Sequence, residues 1–299
     1  MMSRVAIIVV NWNGLEDTLA CLSSLARQSF GNCTMIVVDN DSSEDASSIA
    51  TRYPKALLIQ TQDNLGFCGG NNIGIRKAVE LGAEYCWILN NDTEVAPDCL
   101  ERLVDALDRE MEVAAVGHPI FYHYDQRLHW FAGGVFRNGL PAHRGYMLPE
   151  FESGPDEQAT EYLTGCSFLA RTCVLQELGG FDENYFCYVE DVDLSMRISA
   201  LGYRIGYVPE AVVWHKVSRA TGERCPIKLY YKHRNMLYFL RKFQRPARVE
   251  LRWWLRSARF VVSLLLKYRR PKSAWYVVCG LVDGATGHMG RLPRRAEPR

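Results

Sequence analysis

A largely parallel α/β sheet is the fold predicted for these 299 residues, and three observations predict it. Apolar runs at residues 5–10, 34–38, 56–61 and 85–89 have the length and the β-branched or aromatic character of buried strands. Between them lie stretches with helical apolar spacing, such as Leu15, Leu19, Leu22 and Leu25. The links are short, and strands alternating with helices through short links form a parallel sheet covered on both faces.

The elements follow in order. The first strand, residues 5–10, is broken by Asn11-Trp12-Asn13-Gly14, and a helix over residues 16–28 follows. The second strand ends in Asp39-Asn40-Asp41-Ser42-Ser43, and a short helix to Tyr53 leads into the third. Asp63 to Asn72 is rich in Gly and Asn and reads as a loop ahead of a helix ending at Leu81. Its backbone N–H groups, at a helix start, suit a diphosphate, although the spacing is not that of a dinucleotide fingerprint. The fourth strand ends in Leu89-Asn90-Asn91-Asp92-Thr93, and Pro97 opens a helix over residues 98–109.

Beyond Glu112 the pattern changes. A strand at 114–117 precedes short antiparallel strands and loops over 119–160. Residues 162–170 are strand-like around Gly165-Cys166-Ser167, and Thr172 is placed to cap a helix that stops at Gly179-Gly180. An aromatic loop, 181–188, leads to a helix from Glu190 to Leu201, then strands at 203–208 and 212–214. Residues 216–226 are polar and suit a lid, and 227–243 are helical and basic.

Charge is divided unevenly. Residues 1–227 carry 17 Lys/Arg against 31 Asp/Glu, whereas residues 228–299 carry 18 against 3. An acidic body with a basic tail points the tail at an anionic surface. The 10 cysteines include no C-x-x-C pair, no secretory signal precedes Asn11, and no apolar run reaches membrane-spanning length. A reducing cytoplasmic location is expected.

Three polar strand ends converge on one rim: residues 11–14, 39–43 and 90–92. Open α/β sheets bind ligands there. The Asp92 carboxylate can hold a divalent cation, and the Asp39 carboxylate can accept from a base N–H or a ribose hydroxyl. Either Asp is equally suited to an ordinary turn. Glu190-Asp191-Val192-Asp193 places three acids at a helix start, more than capping needs, which suits a general base. His215 follows an apolar strand and is either a metal ligand or a structural histidine.

In this order, the motifs Val9-Val10-Asn11-Trp12-Asn13-Gly14, Val37-Val38-Asp39-Asn40, Asn64-Leu65-Gly66-Phe67 with Gly70-Asn71-Asn72, and Leu89-Asn90-Asn91-Asp92 resemble the inverting glycosyltransferases of family 2. So do Thr164-Gly165-Cys166, Gly180-Phe181-Asp182-Glu183, Glu190-Asp191-Val192-Asp193-Leu194, Trp214-His215 and Arg234-Asn235. The subgroup resembled is that of rhamnosyltransferases building cell-surface glycans. The resemblance implies a GT-A fold, Rossmann-like with helices on both faces of the sheet. It places a catalytic domain at 1–243, nucleotide-binding over 1–112 and acceptor-binding over 113–243. Residues 244–299 form a helical appendage.

It also implies roles. Asp191 is the expected catalytic base, with Glu190 beside it. Mg²⁺ or Mn²⁺ is expected on Asp92, Asn90 and His215, with Asn90 standing where many members have an Asp. Asn11, Asn13, Asp39, Asn40, Asn64, Gly66, Asn71, Asn91 and Arg234 are expected at the donor nucleotide. The activity implied is transfer of a sugar, with dTDP-rhamnose the favoured donor and UDP-sugars an alternative, to a glycan or lipid-linked acceptor. Two rivals are a nucleotidyltransferase making sugar nucleotides and an inactive, membrane-docked binding subunit. The first normally carries a cationic Gly-rich loop at the first strand, which residues 11–14 lack.

In the tail, Leu251, Trp254, Leu255, Ala258, Val261, Val262 and Leu265 fall on one helical face and Arg252, Arg256, Arg259 and Ser263 on another. A basic amphipathic helix of this kind lies in a membrane interface, or packs on the catalytic domain or a second copy of the chain. The apolar stretch 275–282 is placed to pair with it. The expectation is peripheral attachment to the inner membrane face, homo-oligomerisation as an option, and no nucleic-acid partner.

Overall fold

The computed structural model describes residues 3–149, 160–217 and 225–292. In chain order the first half runs β1 (Val5–Asn11), α1 (Leu15–Leu25), β2 (Cys33–Asp39), α2 (Ser47–Arg52), β3 (Leu57–Gln60), α3 (Gly66–Glu80), β4 (Tyr85–Asn90), β5 (Thr93–Val95) and α4 (Cys99–Arg109). Next come β6 (Val113–Gly117), β7 (Ile120–Tyr122), β8 (His129–Phe131), β9 (Gly134–Arg137), β10 (Leu140–His143), β11 (Ser167–Arg171), α5 (Thr172–Glu177), α6 (Glu190–Ala200), β12 (Arg204–Tyr207) and β13 (Val213–His215). Three helices close the chain: α7 (Pro226–Lys242), α8 (Ala247–Leu266) and α9 (Pro271–Thr286).

Seven strands form the main sheet, in the order β12-β6-β11-β4-β1-β2-β3. β11 alone runs against its neighbours β4 and β6. β1 is central and buried on both faces, which is why its sequence is a continuous apolar run. The sheet is thus mostly parallel, as expected.

The Gly/Asn stretch after β3 departs from expectation. It is largely helix, because α3 already begins at Gly66. The reason is packing. A Cβ at Gly70 would stand 2.8 Å from Val10 Cγ1, and one at Gly74 would stand 2.3 Å from Ile8 Cγ2. The glycines let α3 press onto β1, and that contact outweighs their poor helix propensity. Thr172 also differs: it is the first residue of α5, with no side-chain capping bond.

A second sheet, β5-β13-β7-β8, stands beside the first. β13 pairs antiparallel with β5, so His215 faces Thr93. The residues between 217 and 225, where a lid was expected, lie outside the described residues.

The last helices are packed onto the body. A Cβ at Gly280 would meet the Tyr230 carbonyl oxygen at 2.4 Å, and one at Gly284 the Arg234 carbonyl oxygen at 2.6 Å, so α9 lies directly on the α7 backbone. α8 buries Val249, Trp253, Ser257 and Leu264. Of the apolar face picked out by its sequence, Leu251, Leu255, Val262 and Leu265 are exposed, while Trp254 and Val261 are half-buried against the core.

Candidate active site

The site is assembled where β11 meets β4 antiparallel. Ser167 pairs with Leu89, and one residue further on the Asn90 N–H donates to the Cys166 carbonyl at 2.8 Å. The Gly165 N–H in turn donates to Asp191 Oδ2 at 2.9 Å. Asp92 follows the end of β4, and His215 Nε2 lies 3.1 Å from its Oδ1. Cys166 sits against His215 and within the electrostatic reach of both Asp92 and Asp191. Two acids 99 positions apart in the chain therefore lie near the same dipeptide, Gly165-Cys166.

Asp191 is half-buried in the first turn of α6. Burial raises its pKa, and the N–H groups of Gly165 and Val192 oppose the rise by donating to its oxygens. Glu190 is buried, and its Oε2 has no hydrogen-bond partner among the described residues. Burial, and then the adjacent Asp191 charge, hold its pKa well above the carboxylate range. Asp193, the third acid, points the other way: it is buried and bonded to Arg197, Lys242 and Tyr185.

His215 is buried with Nδ1 unpartnered among the described residues. Burial opposes its cation, but Cys166 and Asp92 more than offset this and lift its pKa to about 10, so a divalent cation would bind there by displacing the ring proton. Among the described residues no three or more His, Cys, Asp or Glu side chains are grouped as a complete metal cage. The Asp92–His215 pair nonetheless fits a partial site. Two ligands at about 2.1 Å on adjacent corners of an octahedron lie about 3 Å apart, and Mg²⁺-type sites normally complete their shell with phosphate oxygens and water. The Asn90 side chain sits half-buried at the same strand end.

The other residues expected at the nucleotide divide into two groups. Asp39 and Asn13 stand on the rim. Asn11 is buried and donates to Asp39 Oδ1 at 2.7 Å and to Ser42 Oγ at 3.1 Å, while its own Oδ1 accepts from Thr18. It orients the Asp39 carboxylate. Asn13 Oδ1 accepts from the backbone and side chain of Ser43.

Asn40, Asn64 and Gly66 are bonded to one another: Asn40 Nδ2 donates to Asn64 Oδ1 and the Gly66 carbonyl, and the Gly66 N–H donates to Asn64 Oδ1. The Cys68 N–H donates to the Phe186 carbonyl. The Gly66 and Cys68 N–H groups at this helix start are thus bonded within the protein, Cys68 to the 181–188 loop. Gly66 has φ +72, and a Cβ on it would collide with Phe186. Asn91 Nδ2 donates to Thr18 Oγ1 and the Gly14 carbonyl, and Asn71 Nδ2 to the Phe67 carbonyl. Arg234, expected at the nucleotide, is buried in α7 and donates to backbone carbonyls.

Sequence reasoning gave no site role to Asn72, whose side chain bonds the Phe181 backbone in both directions. It also assigned none to Asn235, whose amide bonds the carbonyls of Tyr185, Cys187 and Tyr188. Both fall inside motifs that had drawn attention, but nothing in a polar residue's type names its partner.

A mostly parallel sheet with an acid and a histidine at one strand end, and a second acid across Gly165-Cys166, has the GT-A architecture of glycosyltransferases. The solved mannosyltransferase PcManGT of Pyrobaculum calidifontis, in complex with GDP-Man and Mn²⁺, shares this fold: the TM-score is 0.61 at 18% identity, over 94% of this chain and 87% of that one. The family model for glycosyl transferase family 2 matches residues 6–175. The chain belongs to glycosyl transferase family 2 and is a glycosyltransferase.

Among curated relatives it is 29% identical to the N-acetylglucosaminyl-diphospho-decaprenol L-rhamnosyltransferase of Mycobacterium tuberculosis, over 89% of this chain and 94% of the relative. It is 30% identical to the rhamnosyltransferase WbbL of Escherichia coli, over 85% and 90% respectively.

Proposed function

We propose that the protein transfers rhamnose from dTDP-rhamnose to a lipid-linked glycan acceptor, with inversion, at the inner face of the membrane. The catalytic unit is residues 1–243, and 244–299 form the membrane-facing part. The observation that carries the proposal is that Asp92–His215 and Asp191 both lie near Gly165-Cys166. End-to-end likeness to relatives named as rhamnosyltransferases supports the choice of sugar.

Asp92 and His215 would hold Mg²⁺ or Mn²⁺, which when bound neutralises charge on the departing nucleoside diphosphate. Asp39, oriented by Asn11, binds the donor base or ribose. Asp191 Oδ accepts the proton of the acceptor hydroxyl as that oxygen attacks the anomeric carbon, and a single displacement inverts the centre. Glu190 stands beside Asp191, and burial together with the Asp191 charge disfavours its ionised form.

The test is nucleoside diphosphate release by the full chain, given dTDP-rhamnose and a polyprenyl-diphosphate-linked acceptor. Release that needs both acceptor and Mn²⁺, and falls about 100-fold in chelator, is expected. Formation of a sugar nucleotide from nucleoside triphosphate and sugar phosphate would replace this reading with the nucleotidyltransferase one.

The outward face of the last two helices supports membrane contact. Leu251, Leu255, Val262, Leu265 and Leu266 on α8, with Trp275, Val278 and Val282 on α9, are exposed, and Leu266 and Trp275 are 76% and 64% accessible. Arg252, Arg256 and Arg259 run beside the α8 stripe. No described helix is long and apolar enough to cross a membrane, so this surface would lie in the interface. Sedimentation with phosphatidylglycerol vesicles checks it. Leu255→Asp with Leu265→Asp is expected to weaken binding at least about tenfold, since each buried leucine contributes about 1.5–3 kcal/mol. Undiminished binding by the double variant would refute it.

A further inference from the structure

The backbone entering α6 is in an unfavourable conformation. Phe186, Tyr188 and Val189 have φ of 64°, 70° and 76°. None is glycine, and Val189 is β-branched, so each left-handed residue costs about 1–2 kcal/mol. Val189 is also the residue from which α6 starts, one position before Glu190 and two before Asp191. The direction in which Asp191 leaves the loop is therefore fixed by torsions the chain does not prefer.

A conformation of this kind persists only where its surroundings over-determine it. Two consecutive residues of α7 supply most of the restraint. The Asn235 amide nitrogen donates to the carbonyls of Tyr185, Cys187 and Tyr188 at 2.9, 2.7 and 2.7 Å. Arg234 Nε donates to Asn235 Oδ1 at 2.9 Å, which turns that amide nitrogen toward the loop. Arg234 Nη2 donates to the carbonyls of Asn184 and Tyr185. Its Nη1 donates to the Gly290 carbonyl, and the Gly290 N–H donates back to the Asn184 carbonyl. The Leu292 N–H donates to the Tyr231 hydroxyl, and the Tyr231 ring stacks on Phe186 with centroids 5.1 Å apart. The segment after α9 thus returns from the outward-facing helices to the loop before the acid pair.

We infer that Arg234 and Asn235, backed by residues 287–292, are positioning residues for the transfer step: they hold the 184–189 loop so that Asp191 meets the acceptor hydroxyl. This rests on Asp191 being the base. Neither residue touches substrate; both act through the loop.

The test compares Asn235→Ala, and separately the chain ended after Thr286, with the unaltered protein. The measurements are kcat, KM for the donor, and the fraction folded. Loss of an interaction that matters only in the transition state lowers kcat and leaves donor KM in place. A displacement of about 1 Å costs about 100-fold, so kcat per folded molecule should fall about 100-fold in Asn235→Ala and at least tenfold in the shortened chain, with donor KM within twofold. A lower melting temperature with unchanged kcat per folded molecule would reduce the clamp to a structural one and overturn the inference. Asp191→Asn serves as the control. If it is inactive while Asn235→Ala and the shortened chain are fully active, only the positioning role fails. If it is active, the assignment of the base fails first.

Discussion

Asp191→Asn should lower kcat by about 10³-fold, within the 10²–10⁴ typical of a lost general base, and leave the protein folded. The asparagine oxygen can still accept from Gly165 or Val192, the two N–H donors to Asp191 at 2.9 and 2.8 Å. At most one backbone bond is lost, costing about 1 kcal/mol. Donor binding, measured by calorimetry, should be unaffected, since the role proposed for this carboxylate is at the acceptor hydroxyl. The pH profile gives an independent check. A base must be deprotonated to work, and burial raises this carboxyl above the ordinary aspartate value. The acid limb of kcat/KM in the unaltered enzyme should therefore lie above about pH 4, with activity dropping tenfold per unit below it. Turnover within tenfold of the unaltered enzyme would remove Asp191 from the mechanism.

Asp193→Ala, two residues along, should do the reverse. Asp193 is fully buried. Its Oδ2 is 2.6 Å from Arg197 Nε, its Oδ1 is 2.6 Å from Lys242 Nζ, and the Tyr185 hydroxyl donates to it at 3.0 Å. Removing one member of a buried ion pair leaves uncompensated charge and costs about 3–5 kcal/mol. The low end, about 3 kcal/mol, is expected. Lys242 retains Asp182 at 2.7 Å, and Arg197 keeps the carbonyls of Leu178 and Gly180. Urea unfolding measures this directly, as a shifted midpoint with little change in slope. A change below about 1 kcal/mol would mean that the network does not anchor α6. Neighbouring acids on one helix are thus expected to separate into one whose loss affects rate and one whose loss affects stability.

The contrast shows what was legible. The strand at 5–10 was read correctly to within one residue because burial on both faces leaves a continuous apolar run, a signal that survives without knowledge of neighbours. The acids at 92 and 191 stood out by type and place. The Gly/Asn stretch after β3 was misread because helix propensity is local, while the closeness of Gly70 and Gly74 to Val10 and Ile8 belongs to the packed sheet. In α8 both sides carry apolar residues, so periodicity alone did not select Val249, Trp253 and Leu264 as the buried set. The asparagines 40, 64 and 91 were seen as polar groups near a rim, yet their amides hold neighbouring segments in place, and Asn71 bonds back within its own helix.

By itself the order of residues determined the alternation of strand and helix, the ends of the strands where polar groups gather, and the family. These depend on short-range pattern and on residue type, which the chain states locally. Only the tertiary structure decided which acid accepts from the Gly165 N–H, which is locked in an ion pair, and that Arg234 and Asn235 grip a loop about fifty positions away. Those outcomes depend on distances between segments remote in the chain, set by how α3, α6, α7 and α9 pack, and no single segment encodes a distance to another.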